Sequence, residues 1–251
     1  EGTLRNYLRA AQPHLVTWSD SYDHLREVTR EDVRAVADAL KGLDRKRTLV
    51  ALRSLFGFAK KRGRIFRNPT TGIRPGNPDA PIPTPLRPGQ LRRAVAVAVT
   101  PAGRVVLALA AIHAGRPNAI AALKLDDVDV PNRRLRVGGI TRILDDTTRQ
   151  VIEAYLAERR ERWPHTANPH LLITQRTAHD KRPVSPYWMR TRMRGLGATL
   201  NQIRIDRQLE EALAVGPDPL HLAVVFGISE STAVGYAAAA RQLLELPSPG
   251  A

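Results

Sequence analysis

Apolar residues spaced three and four apart mark helices over most of this 251-residue chain. Val33, Val36, Ala37 and Leu40 make one stripe behind Thr29-Arg30-Glu31-Asp32, a hydroxyl and a carboxylate at the separation of a helix start. Gly42 reads as the end of that helix. Leu49, Leu52, Leu55, Phe56 and Ala59 make a second stripe between about Asp44 and Lys61, and residues 3–67 as a whole read as helical. Further helices are predicted at Gln90–Val99, Ala102–Ala114, Asn118–Leu123, Asp146–Arg162, Pro186–Gly195 and Thr199–Ala214. The run VVLALAAI in the second of these is apolar nearly all round, which predicts burial. The period changes to two at Asp127–Val130, Arg134–Val137 and Ile140–Leu144, with Pro131-Asn132 and Gly138-Gly139 as turns. These patterns predict a mainly α protein with a small antiparallel β-sheet.

The periodicity fails in the proline-rich stretch IRPGNPDAPIPTPLRP. Proline fixes φ and keeps such a stretch semi-extended, so a domain boundary is placed there. The predicted division is a helical domain at 1–73, a linker at 74–88 and a second domain at 89–251.

Charge narrows the function. The formal net charge is +15, from 39 Lys+Arg against 24 Asp+Glu. Residues 1–83 carry +7 and residues 84–251 carry +8, so both modules are basic, which points to a polyanionic partner. Arg45, Lys46, Arg47, Arg53, Lys60, Lys61 and Arg62 surround the polar side of the second helix and are candidate phosphate contacts, with simple solvation as the alternative. The absence of cysteine excludes disulfides, thiolate zinc sites and a thiol nucleophile. His113, His165, His170, His179 and His221 have no metal-ligand spacing, so no metal and no other cofactor is expected. Trp163, Trp188 and Tyr187 are expected in core or hinge packing. No apolar run is long enough for a membrane span, and EGTLRNYLRA has no signal-peptide core, which makes a cytoplasmic, nucleoid-associated location the expectation.

One stretch, DPLHLAVVFGISESTAVGYAAAARQLL, carries two readings. Gly227 with Ser229 as N-cap makes the turn of a helix-turn-helix whose second helix enters a major groove. Alternatively, Tyr236 is a nucleophile presented on the helix after a glycine turn. The second reading needs cationic donors for the nonbridging oxygens of a phosphodiester and a proton donor for the leaving oxygen. Arg116, directly after Gly115 at the end of an apolar helix, and Arg204, near the start of an amphipathic one, are the candidates.

Taken in order, these segments resemble the tyrosine recombinase (phage integrase) family. HAGRPNAIAALKLDDVDV is similar to that family's Gly-x-Arg-x-x-Glu-Leu-x-x-Leu-x-x-x-Asp-hydrophobic-Asp segment, through Gly115, Arg116, Leu123, Asp127, Val128 and Asp129. Arg204 resembles the arginine of the His-x-x-Arg box, Tyr236 the nucleophile, and Asn68-Pro69 the end of the core-binding domain. The chain departs from the pattern at Asn201, which stands for the histidine of that box, and at Ile228, which stands for the His or Trp after Gly227. It departs again at Ala119, in place of the acidic residue, and at Gly138-Gly139, where the family has a lysine. Arg136 and Arg142 are the possible substitutes for that lysine.

The resemblance implies two domains clamping duplex DNA and a metal-free, ATP-free site-specific recombination through a 3′-phosphotyrosyl intermediate. It also implies self-association on DNA as a dimer or tetramer. The alternatives are a catalytically inactive recombinase-fold or helix-turn-helix DNA binder, and a basic protein that coats nucleic acid.

Overall fold

A computed structural model describes residues 2–76, 82–195 and 197–245. Residues 77–81 of the expected linker, and the tail after Glu245, lie outside the described residues. The chain divides into two compact units, Glu1–Pro81 and Ile82–Ala251, each with its own core.

The first unit contains α1 (Gly2–Ser19), α2 (Arg30–Ala39) and α3 (Gly42–Lys61). Thr29 caps α2: its hydroxyl accepts the Asp32 N–H, and the Asp32 carboxylate accepts the Thr29 N–H at 2.8 Å. Val33, Ala37, Leu49, Leu52 and Phe56 are buried with Ala11 and Trp18 of α1, and the Trp18 and Phe56 rings lie 6.2 Å apart. Two details differ from the periodicity. α1 is a separate helix that no stripe announced, and Gly42 opens α3 instead of closing α2. The earlier helix already stops at Leu40, which is extended (φ −104°, ψ 148°), and Gly42 makes the reversal at φ 54°. Arg45 then reaches back to the Ala37 carbonyl and to Asp38 (3.6 Å), joining the end of α2 to α3.

In the second unit, α4 (Gln90–Val97), α5 (Pro101–Ala111) and α6 (Pro117–Ala122) precede the strands β1 (Val128–Asp129), β2 (Arg134–Val137) and β3 (Ile140–Ile143). Helices α7 (Asp146–Arg162), α8 (Pro186–Arg192), α9 (Leu200–Val215), α10 (Pro219–Phe226) and α11 (Glu230–Glu245) follow. The sheet is antiparallel in the order β1-β2-β3, with Leu135 opposite both Val128 and Arg142. β1 is shorter than the alternation suggested because its flanking carboxylates serve turns. Asp127 accepts the Lys124 N–H at 2.9 Å, and Asp129 accepts the Asn132 N–H at 3.1 Å.

The main core is built on α5, whose residues from Val105 to Ala110 are all buried, as their unbroken apolar run requires. Its end comes before the predicted Ala114, because Ala114 adopts φ 49° and the chain turns there. A second core joins Ala114 to Leu209, Leu222, Phe226, Ile228, Tyr236 and the alanines of α11.

Gly227 is the hinge point of this second core. Its φ is 57°, and a Cβ there would collide with Ile140 Cδ1 at the start of β3. We expect Gly227→Ala to destabilise the protein by roughly 2–4 kcal/mol, combining left-handed backbone strain with overpacking. Chemical denaturation of the full chain measures this, and a loss below about 0.5 kcal/mol, the size of an ordinary surface change, would contradict it.

Candidate functional site

Different local devices deliver Arg116, Arg204 and Tyr236. Arg116 is the residue before Pro117, which disfavours a helical conformation there; its backbone is extended (φ −69°, ψ 140°) and it forms the N-cap of α6. Upstream, the Gly115 N–H donates to the Leu109 carbonyl at 2.8 Å. A Cβ on Gly115 would fall 2.9 Å from that oxygen and 3.0 Å from Ile120 Cγ1, so the glycine serves close approach. The Arg116 side chain is exposed and has no ion pair or hydrogen bond to a neighbouring side chain or carbonyl among the described residues.

Arg204 lies one turn into α9, whose start is fixed by a capping box between Thr199 and Gln202. Its Nε and Nη2 donate to Asn201 Oδ1 at 3.3 and 3.0 Å, and Nη1 donates to Gln208 Oε1 at 3.0 Å. Gln208 is almost fully buried, so the guanidinium is fixed at both ends.

Tyr236 is carried on the face of α11 that also buries Ala233, Ala237 and Ala240. Only 4% of its surface is exposed. Burial raises the Tyr236 hydroxyl above its ordinary pKa. The Arg204 charge and hydrogen bond oppose this, and so does the Arg116 charge. Two arginines remote in sequence from each other and from Tyr236 therefore favour its ionised form against burial. The phenol stays protonated at neutral pH, so any attack by it must lose the proton as the new bond forms.

The departures from the motif have structural counterparts. Asn201 is exposed and orients Arg204 through its amide oxygen. Ile228 is buried in the α10–α11 turn and offers only packing. Arg142 is half-buried on β3, where Nη1 donates to the His113 carbonyl at 2.7 Å and the guanidinium stacks 5.6 Å from the Phe226 ring. Its Nε is buried without a partner among the described residues. Burial and then the Arg207 charge lower its pKa. Arg136 is exposed and engaged with Asp127 at 2.6 Å. Arg142, not Arg136, thus touches the segment that leads into Arg116.

In the first unit the basic residues of α3 divide. Arg45 is used in helix packing, Arg47 stands 4.0 Å from Asp44, and Lys46 is half-buried. Arg53, Lys60 and Lys61 are exposed, and Arg62 lies over the Phe58 ring at 5.3 Å.

Two groups escaped the sequence reading. His113 is buried, with Nε2 3.1 Å from both Asp145 Oδ2 and Thr148 Oγ1, and so ties the Arg116 segment to the start of α7. Its signal was a histidine at the end of an apolar run, which needs a partner when buried. Arg207 also lies over the Phe226 ring, at 5.8 Å, and bonds Glu211 at 2.8 Å; Glu211 in turn meets His221 at 3.0 Å. Tyr187, expected in packing, is 69% exposed, while Trp188 packs against the main core. Among the described residues no group of three His, Asp or Glu is placed to hold a metal ion, and no helix is long and apolar enough to cross a membrane.

No protein-family model and no curated protein matches the chain by sequence. Solved structures match it by shape. XerH site-specific recombinase, bound to palindromic difH substrate in a post-cleavage complex, aligns over 95% of this chain and 78% of its own at a TM-score of 0.66 and 16% identity. XerA recombinase aligns over 95% and 89%, with a TM-score of 0.53 and 17% identity. A lambda integrase (75–356) dimer bound to a COC′ core site aligns over 85% and 81%, with a TM-score of 0.55 and 13% identity. The chain has the tyrosine-recombinase fold. Arg116, Arg204 and Tyr236 all lie in the second unit.

The His113 contact predicts a pH dependence of stability in the second unit. Burial lowers the His113 pKa below 6.5, ahead of the opposing Asp145 charge. A depressed folded value means stability that is present above the ordinary pKa and lost as pH falls towards the folded one. Asp145 is also depressed, from 3.8, so its loss begins only at lower pH. We expect melting temperature to fall less steeply between about pH 7.5 and 5 in His113→Gln than in the parent. Equal slopes would remove His113 from this account.

Proposed function

We propose that the protein cuts and rejoins duplex DNA, with Tyr236 as nucleophile and Arg116 and Arg204 as the cations on the scissile phosphate. What supports this reading is that Tyr236 is buried in one core with Ala114, just ahead of Arg116, and Leu209 of α9, with the Arg204 and Arg116 charges both opposing the upward shift of its hydroxyl. Arg116 has an exposed, unengaged guanidinium, as a phosphate-binding group requires, and Arg204 is preorganised by Asn201 and Gln208.

In the proposed step the Tyr236 oxygen attacks phosphorus and loses its proton to solvent. The phosphorus–O5′ bond breaks, leaving a 3′-phosphotyrosyl link and a 5′-oxygen that takes up a proton. The number of phosphoester bonds is unchanged, so a 5′-hydroxyl of another strand can reverse the step without an energy source. Asn201 and Ile228 supply no acid at the positions where the resemblance implies one. Losing such help costs roughly 10²–10⁴ in rate, which makes this a slow enzyme. Both units contribute phosphate contacts, in keeping with the shared charge of +7 and +8, and copies assemble on DNA as a dimer or tetramer.

A second reading, a DNA binder without chemistry, is favoured by the near-complete burial of Tyr236 and by the apolar Ile228. Covalent trapping on nicked duplexes separates the two. The parent should form an SDS-resistant protein–DNA adduct unaffected by EDTA. Tyr236→Phe should abolish the adduct with DNA affinity unchanged, and Arg116→Ala or Arg204→Ala should slow it by about 10²-fold. Adduct persisting in Tyr236→Phe would place the nucleophile elsewhere. Salt-sensitive binding with no adduct on long incubation would establish the binder.

A further inference from the structure

The most exposed aromatic of the described residues lies outside the arginine–tyrosine cluster. Phe66 is 99% exposed at the tip of the segment Gly63–Pro69, after α3. Complete exposure leaves it with no packing role and keeps its ring in contact with water, which is unfavourable for so large an apolar side chain. Disorder of the segment does not account for it, because both sides of the tip are anchored. The Gly63 and Arg64 N–H groups donate to the Lys60 and Ala59 carbonyls at 3.0 and 2.9 Å, and Ile65 is buried in the core of the first unit. On the other side, Asn68 Oδ1 accepts from the Thr70 N–H at 3.0 Å and the Thr70 hydroxyl at 2.7 Å, with Pro69 and Thr70 buried. The backbone is fixed and the ring is presented.

Its surroundings are cationic. Arg64 and Arg67 flank the ring in sequence, both exposed, and their guanidiniums have no ion pair or hydrogen bond among the described residues. Lys60 and Lys61 lead into the segment, equally exposed. The ring also forms part of the rim of a shallow cavity of about 1020 Å³ shared with Arg64 and Arg67. Cations placed for adjacent phosphates around a rigid apolar ring suit a nucleic acid whose bases the ring can reach. Aromatic stacking on bases tolerates any sequence, and apolar wedges between base steps accompany backbone contacts in DNA-bending proteins.

We infer that Phe66 is a wedge that stacks against DNA bases or a base step, with Arg64 and Arg67 on the neighbouring phosphates. The wedge rests on the DNA-binding part of the proposed function but not on its chemistry. It would distort the duplex at a point set by the first unit, independently of strand cleavage.

The test uses the full-length chain and a mixed-sequence duplex of roughly 30 base pairs, about three helical turns. Phe66→Ala should weaken binding about tenfold while leaving the slope of log K against log salt unchanged, because no charge is removed. Arg64→Ala and Arg67→Ala should each reduce that slope by about one unit. Phe66→Trp should restore affinity, and its added tryptophan emission, taken against the parent, should be quenched by the duplex. With the side chain fully exposed, Phe66→Ala should melt with the parent.

Phe66→Ala binding as tightly as the parent overturns the wedge alone and leaves the DNA-binding reading intact. Added emission of the Phe66→Trp variant that the duplex leaves unquenched does the same. No salt-sensitive binding by the parent overturns both. Emission that responds to vesicles of phosphatidylglycerol and phosphatidylcholine, and not to the duplex, would replace the wedge with a membrane contact.

Discussion

The second unit depends on one close approach: the alanine face of α11 against α9 and the loop ahead of Arg116. Ala233, Ala237 and Ala240 have almost no exposed surface. Side chains this small let α11 pack closely in the second core, with Tyr236 buried beside them and Leu209 of α9 in the same cluster. The turn at Gly227 sets where α11 begins, and Ile140 of β3 sets how near that turn comes to the sheet. The sheet, the arginines and the tyrosine are therefore parts of one packing problem. Larger residues on the α11 face would move the hydroxyl away before they touched any charged group.

Much of this was legible in the sequence, for identifiable reasons. Apolar stripes marked α2 and α3, and the all-apolar run marked α5 as buried, because burial needs only hydrophobic character. β2 and β3 were legible from strict alternation. What escaped depended on partners that a pattern of apolar positions does not name. Asp127 and Asp129 shorten β1 because their carboxylates are taken by nearby backbone N–H groups, which no alternation reveals. The end of α5 moved because Ala114 occupies a left-handed conformation that its side chain does not advertise.

The candidate site was proposed from the sequence as an ordered list of residues, not as a geometry. Arg116, Arg204 and Tyr236 could be named from their segments. That Asn201 fixes Arg204, while Ile228 only packs, required coordinates. The role of His113 was invisible because a buried polar residue is explained by its partner, and Asp145 and Thr148 lie far from it in sequence. Gln208 sits one helical turn from Arg204, yet only its burial shows that it clamps the guanidinium. The basic residues of α3 show the converse limit. Charge alone put Arg45 beside Arg53, yet one supports helix packing and the other faces solvent.

The stacking of Arg142 and Arg207 on the Phe226 ring has an effect that reaches beyond the site. Burial, and after it the Arg207 charge, lowers the Arg142 pKa, and Arg142 keeps a buried Nε without an acceptor among the described residues, whereas Arg207 is paired with Glu211 at 2.8 Å. One aromatic ring of the second core therefore holds two cations, and of these only Arg207 has a carboxylate partner among the described residues. Because Arg142 stands on β3 and Arg207 on α9, the Phe226 ring joins the sheet to the helix that carries Arg204, and a change at this one uncharged side chain reaches both.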